Sequence, residues 1–106
     1  MVYFFITVFW PGNKAPEVAK ASFQSQKKFP EDASLGKYVI YGAAIPGENV
    51  GRSISVFEPA RGKERDALMW IAKRLYLYIL IEGVSYKRDT AVNYDEALEI
   101  AGIKRE

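Results

Sequence analysis

The 106-residue chain contains no histidine and no cysteine, so neither an imidazole nor a thiol can carry its chemistry. A Ser–His triad, a thiol nucleophile, a histidine-ligated zinc and a disulfide framework are therefore excluded. Five residues at predicted strand positions could face a ligand pocket, namely Tyr3, Tyr41, Ser55, Tyr86 and Arg88. The Arg88 guanidinium could hold a carboxylate or an enolate, and a tyrosine hydroxyl could donate to the same ligand. In the alternative, the tyrosines pack in the core and Arg88 is a solvated charge on an edge strand.

Neither a metal site nor a nucleic-acid surface is indicated. Asp95, Glu96 and Glu99 crowd the start of a predicted helix, where acidic groups favour the helix dipole, and their spacing is not that of an oxygen-ligand loop. RNA-recognition domains carry stacking aromatics on their third strand, whereas segment 51–57 has Ser and Ile at most of those positions. The net charge of +2 is too small to hold nucleic acid by itself. We therefore expect no metal, no cofactor and no nucleic-acid partner.

The elements that must position these side chains follow from runs of β-branched and aromatic residues separated by Pro and Gly. The predicted strands are Val2–Trp10, Lys37–Ala44, Arg52–Glu58 and Val84–Val92. A first helix is expected from a cap at Asn13 to Phe29, because Pro30 disfavours helical backbone before it. A terminal helix should open with a capping box at Asn93 and Glu96 and end at Gly102.

The second helix has an ambiguous end. A helical pattern runs from Gly62, but Leu75–Glu82 is a short apolar run that fits a buried helix or a further strand. We expect helix through about Leu80, with Gly83 as its stop, because the strand at Val84–Val92 otherwise has no place in the sheet. The apolar run Leu75–Ile81 has seven residues, which is far shorter than the roughly 20 residues needed to span a membrane.

The resulting order, β-α-β-β-α-β plus a short helix, predicts one ferredoxin-like α+β domain over residues 1–106 with both helices on one face of the sheet. The first strand is nevertheless apolar on both sides, since Phe5 and Phe9 alternate with Phe4, Ile6 and Val8. The second face needs a cover. A second copy packed face to face would provide one, giving an isologous dimer with a barrel-like interior. The alternative cover is the terminal helix.

The opening strand ending in Trp10-Pro11-Gly12, the helix after it and the closing segment 90–98 resemble small uncharacterised proteins of the dimeric α+β barrel superfamily. In those proteins a last strand likewise runs into a short helix that opens with an acidic residue before Glu-Ala. The resemblance implies the fold and the dimer but selects no activity. Better-known members include cofactor-independent monooxygenases, isomerases, haem-dependent enzymes and ligand-sensing domains. The haem branch relies on a proximal histidine, which this chain lacks.

Two functions remain open. The first is a homodimeric module that binds a small molecule, anionic or aromatic, or another protein. The second is a cofactor-independent, monooxygenase- or isomerase-like enzyme with an aromatic-lined pocket. No basic residue precedes the apolar run Val2–Trp10 and no small-residue cleavage site follows it, so we expect no signal peptide, no membrane partner and a cytoplasmic location.

Overall fold

The computed structural model describes residues 2–47 and 49–104 and confirms the α+β class. Four strands form one antiparallel sheet, and three α-helices accompany it. The elements are β1 (Val2–Pro11), a 3-10 turn (Gly12–Lys14), α1 (Ala15–Lys28), β2 (Gly36–Ile45), β3 (Val50–Pro59), α2 (Glu64–Ile79), β4 (Ser85–Val92) and α3 (Tyr94–Ala101). This sequence of elements is the predicted one.

The strands lie in the order β2-β3-β1-β4, and each neighbouring pair is antiparallel. This arrangement is consistent with the predicted ferredoxin-like fold. The aromatic-rich β1 is central, between β3 and β4. Its residue Ile6 lies opposite Ser55 on one side and Arg88 on the other, and Val8 lies opposite Ser53 and Tyr86. Residues opposite one another share a face of the sheet.

The core lies between one face of the sheet and helices α1 and α2. The alternate side chains of β1 are buried there, as its period of two requires. The core residues are Phe4, Ile6, Val8, Trp10, Val18, Phe57, Ala67, Ile71, Leu75 and Val84. Burying these side chains supplies the main driving force for folding, about 1.5–3 kcal/mol for each large one.

The other face of the sheet, which we call the open face, is also apolar. Across β1, β3 and β2 its rows are Phe5, Val56 and Ile40; Thr7, Ile54 and Ala43; and Phe9, Arg52 and Ile45. The edge strand β4 adds Asp89, Lys87 and Ser85 to these three rows. Phe5, Ile40 and Ile45 remain exposed. The terminal helix does not cover this face, because none of its residues is buried. The other cover considered above, a second copy of the chain packed on the open face, remains a proposal.

The helix boundaries answer two questions left by the sequence. Residues 75–79 are helical, and Gly83, with a φ of 82°, follows the helix in the left-handed conformation. The prediction that Asn13 caps α1 was wrong, because Gly12–Lys14 winds into a 3-10 turn that encloses Asn13 and moves the helix start to Ala15. Within residues 2–47 and 49–104, no helix is long and apolar enough to cross a membrane.

The predicted capping box of α3 is confirmed. Asn93 Oδ1 accepts a hydrogen bond from the Glu96 backbone N–H at 2.8 Å, and Glu96 Oε1 accepts one from the Asn93 N–H at 3.3 Å. The helix ends at Gly102, whose φ of 72° suits glycine. These local contacts define both ends of α3, none of whose residues is buried.

Candidate functional site

A cleft of about 150 Å³ lies between the helix-covered face of the sheet and helices α1 and α2. A cavity of this size can hold one benzene-sized ring. Five elements contribute to its lining, which consists of Ile6, Val8, Trp10, Val18, Ala19, Ser22, Ser25, Tyr38, Tyr41, Gly42, Ser53, Ser55, Ile71, Arg74, Leu75 and Tyr78. The walls are thus mostly apolar and aromatic, with hydroxyl groups and one charged side chain, as is common in small-molecule sites.

Small side chains on β3 leave this space open. Ser53 and Ser55 face the cleft opposite Val8 and Ile6, while Phe57, two residues further along the same face, fills the core. Two serines therefore stand where larger side chains would close the cavity. The Ser55 hydroxyl accepts a hydrogen bond from the backbone N–H of Gly42 at 2.9 Å, so it also ties β3 to the irregular part of β2.

An irregularity in β2 brings two tyrosines into the same space. Residues three apart on a regular strand point to opposite faces of the sheet. Pairing with β3 shifts between Tyr38 and Ile40 and again before Ala43, and both Tyr38 and Tyr41 line the cleft as a result. Their rings meet edge to face, with centroids 4.6 Å apart. Gly42, with a φ of 62°, takes a backbone conformation that favours glycine within this irregular stretch.

The charged residue of the lining is Arg74 on α2, which is only 4% exposed. Its Nε donates to the backbone oxygen of Phe29 at 2.8 Å, and its guanidinium carbon lies 4.3 Å from the centre of the Trp70 ring. The Trp70 indole donates in turn to the Pro30 oxygen at 3.1 Å. Both acceptors follow the last turn of α1, where carbonyl groups lack partners within the helix.

One nitrogen of this guanidinium is left over. Arg74 Nη2 is buried and has no hydrogen-bond partner within the described part of the chain. An unsatisfied donor of a charged group costs about 1–3 kcal/mol or more when it is buried. Arg74 is therefore held by Phe29 and Trp70 and retains a nitrogen without a partner.

Two of the cleft tyrosines remain neutral well above physiological pH. Burial raises the pKa of Tyr38 to about 12, although the nearby Arg74 cation acts in the opposite direction. Burial likewise raises the pKa of Tyr78, against a hydrogen bond with Ser22 that lowers it. Both hydroxyls thus stay protonated and able to donate a hydrogen bond.

The raised pKa of Tyr38 predicts a loss of stability in alkali. Unfolded tyrosine ionises near its ordinary value of 10.0, whereas folded Tyr38 stays neutral until about pH 12. Stability contributed by Tyr38 is thus complete below pH 10 and is lost as the pH rises to 12, amounting to about 3 kcal/mol. Between pH 10 and 12, the free energy of unfolding measured with urea should decline more steeply for the native protein than for Tyr38→Phe. The lysines, which also titrate in this range, are the same in both proteins. Parallel declines would contradict the assignment.

The structure separates the five residues that the sequence put forward as ligand contacts. Tyr41 and Ser55 line the cleft. Tyr3 lies opposite Ala91 in the row next to Phe5, towards one end of the open face. Tyr86 and Arg88 share the helix-covered side of the sheet with Val8 and Ile6, but they are exposed on the edge strand β4 and do not line the cleft.

Sequence reasoning missed Arg74, although a signal for it was present. Ala67, Ile71 and Leu75 form the buried stripe of α2, and Arg74 lies on this stripe one turn after Ile71. A charged residue in line with core positions is either paired or functional when buried. On α1, Ser22 and Ser25 also line the cleft.

The mouth of the cleft adjoins a second depression. This depression has a volume of about 310 Å³ and shares Arg74 and Tyr41 with the cleft, the remainder of its wall being Gln26, Pro30 and Glu31. A ligand larger than one ring could therefore extend from the cleft past Arg74. No cluster of three carboxylates suited to a metal ion occurs in the described ranges, and this applies to Asp95, Glu96 and Glu99 as well.

Comparisons with known proteins supply no family. No family model matches the chain, and no curated protein is recognisably similar to it. Among solved structures, it is similar to one titled as a REP-associated tyrosine transposase bound to a REP hairpin, with a TM-score of 0.38 and 7% sequence identity. The similarity covers 93% of this chain and 61% of the other. A likeness at this level carries no argument about function.

Proposed function

We propose that this protein is a homodimeric small-molecule-binding module whose ligand occupies the cleft between the sheet and helices α1 and α2. One observation carries the proposal: a buried arginine, Arg74, lines a ring-sized apolar cavity, and its Nη2 has no hydrogen-bond partner within the described residues. A ligand acceptor at this nitrogen would satisfy it. The neutral hydroxyls of Tyr38 and Tyr78 supply further donors around the same space.

The alternative, a cofactor-independent enzyme of monooxygenase or isomerase type, would use the same cleft. A general base works best when its pKa lies near the operating pH. Tyr38, with a pKa of about 12, is far from that condition, and the pKa of Tyr78 is also raised. The remaining polar groups of the lining are serine and tyrosine hydroxyls and the Arg74 guanidinium. This set of groups supports binding over proton transfer.

The dimeric part of the proposal concerns the open face. Four strands about 4.8 Å apart and about nine residues long present roughly 600 Å². Two such faces together bury roughly 1,200 Å², the lower end of the range for stable interfaces. The centre of the face is largely apolar but includes Arg52, and its margins carry ion pairs, Lys87 with Asp89 at 3.8 Å and Lys37 with Glu58 at 3.9 Å. An apolar centre inside a polar rim is the usual anatomy of a protein interface.

Binding in the cleft can be tested with single-ring compounds. We expect amide resonances of cleft residues to shift when isotope-labelled protein is titrated with a set of charged and neutral single-ring fragments. Ser53→Phe should abolish these shifts, because an aromatic side chain at this position fills the cleft. Thr90→Phe is the matched control, since Thr90 is an exposed strand residue on the same side of the sheet and outside the cleft. The proposal fails if no fragment binds, or if Ser53→Phe binds as well as Thr90→Phe.

A further inference from the structure

We infer that the ligand is a compact carboxylate with a single negative charge, bound through its carboxylate to the guanidinium of Arg74. This inference rests on the proposed function and adds the chemical class of the ligand. The observations behind it are the charge of the lining, the way Arg74 is held, and the volume available.

The single positive charge of the cleft favours a ligand with one negative charge. Arg74 contributes the one formal charge among the lining residues, and no carboxylate within residues 2–47 and 49–104 lines the cleft. Glu31, the acidic residue of the adjoining depression, lies outside the cleft wall. Removing a cation from water costs several kcal/mol, and the cost is offset when an anion pairs with it and satisfies its donors. A monoanion would leave the cleft neutral, whereas a dianion would leave one negative charge without a partner.

The fixed position of the Arg74 guanidinium favours a ligand that places an oxygen acceptor beside it. Its Nε is occupied by the Phe29 oxygen, and one face of the guanidinium lies on Trp70, so the group cannot turn freely towards other partners. The guanidinium is thus pre-positioned, which lowers the entropy lost on binding. Arginine hydrogen bonds to carboxylates are short and about twice as strong as those between neutral groups.

The volume and the walls select the rest of the ligand. About 150 Å³ admits one ring or a compact aliphatic group. Ile6, Val8 and Leu75 supply apolar walls, and Tyr38 and Tyr41 supply ring faces and edges. Benzoate combines these properties and is the probe that we would use first.

The test compares benzoate with its neutral isostere benzamide and with the dianion phenyl phosphate, by titration calorimetry on the native protein. We expect benzoate to bind at least about tenfold more tightly than benzamide, which corresponds to about 1.4 kcal/mol, and more tightly than phenyl phosphate. If benzamide binds the cleft as tightly as benzoate, the charge inference is overturned while the proposed binding function stands. If phenyl phosphate binds most tightly, the single-charge inference is overturned. If none of the three binds and no other single-ring fragment does, the binding function itself fails.

Two variants separate recognition from folding. Arg74→Gln removes the cation and should reduce the preference for benzoate over benzamide to less than about threefold. Arg74→Lys keeps the positive charge on a shorter side chain and should retain part of the preference for benzoate over benzamide. Arg65→Lys on the same helix is the matched control, because Arg65 is exposed, and it should bind like the native protein. An unchanged preference in a folded Arg74→Gln would overturn the assignment of Arg74. If that variant does not fold, the comparison of benzoate with benzamide on the native protein decides alone.

Discussion

Phe5→Asp is expected to abolish self-association of this protein. Phe5 lies in the central row of the open face with Val56 and Ile40 and is 39% exposed in the isolated chain. In the proposed dimer the Phe5 side chain is covered, and a carboxylate in its place is desolvated beside a like charge, because Asp89 lies opposite Phe5 on β4, at a cost of several kcal/mol in each protomer. Light scattering at micromolar concentration should give about twice the 12.0 kDa chain mass for the native protein and a single chain mass, or insoluble protein, for the variant.

The control for this experiment is Phe23→Asp. Phe23 is 71% exposed on α1 and belongs to neither the open face nor the cleft, so the same change of chemistry there should leave the dimer intact. A native protein that is monomeric at this concentration would rule out the dimer. Equal association of the two variants would place the interface elsewhere.

The second large effect is expected from Phe57→Ala. Phe57 is only 2% exposed, and its ring packs against Tyr38 and Trp70 with centroid distances of 5.0 and 5.5 Å. Truncating a buried phenylalanine costs about 3–5 kcal/mol, because transfer free energy is lost and a cavity remains. Since whole domains are stable by about 5–15 kcal/mol, the variant should be close to unfolding at room temperature.

Urea unfolding followed by circular dichroism measures this effect directly. Phe23→Ala removes the same atoms from an exposed site and should change the free energy of unfolding by less than about 0.5 kcal/mol. A loss below about 1 kcal/mol in Phe57→Ala would show that Phe57 is not a core residue. The variant also removes a neighbour of Tyr38, so ligand binding should weaken along with stability.

Most elements were predictable because local chemistry determines them. Pro30 ended α1, Gly83 followed α2, and the Asn93–Glu96 capping box opened α3 at the predicted place. The start of α1 was not predictable from its residues, since Asn13 could cap a helix or lie inside a 3-10 turn with similar local cost. The two-sided apolar pattern of β1 likewise anticipated a sheet with an exposed apolar face, with Phe5 on that face.

The candidate site was only partly predictable. Tyr41 and Ser55 were expected near a pocket and line the cleft, whereas Arg88, the favoured cationic group, is exposed on the edge strand β4. Its position on the correct face of the sheet was readable from alternation. Alternation could not show that helices α1 and α2 leave the edge strand uncovered, because helix placement depends on how both helices pack on the whole sheet.

The sequence by itself therefore determined the order of the strands and helices, the buried faces and the exclusion of histidine and cysteine chemistry, because residue type, period and turn residues act locally. Tertiary structure alone decided that Arg74 is the cation in the cleft and that Tyr38 and Tyr41 line the same cleft. The shifted pairing of β2 turns Tyr38 and Tyr41 to one side, and the end of α1 places its carbonyl groups beside Arg74. Both depend on contacts between residues far apart in the chain, such as Phe29 with Arg74 and Gly42 with Ser55, which no local pattern records.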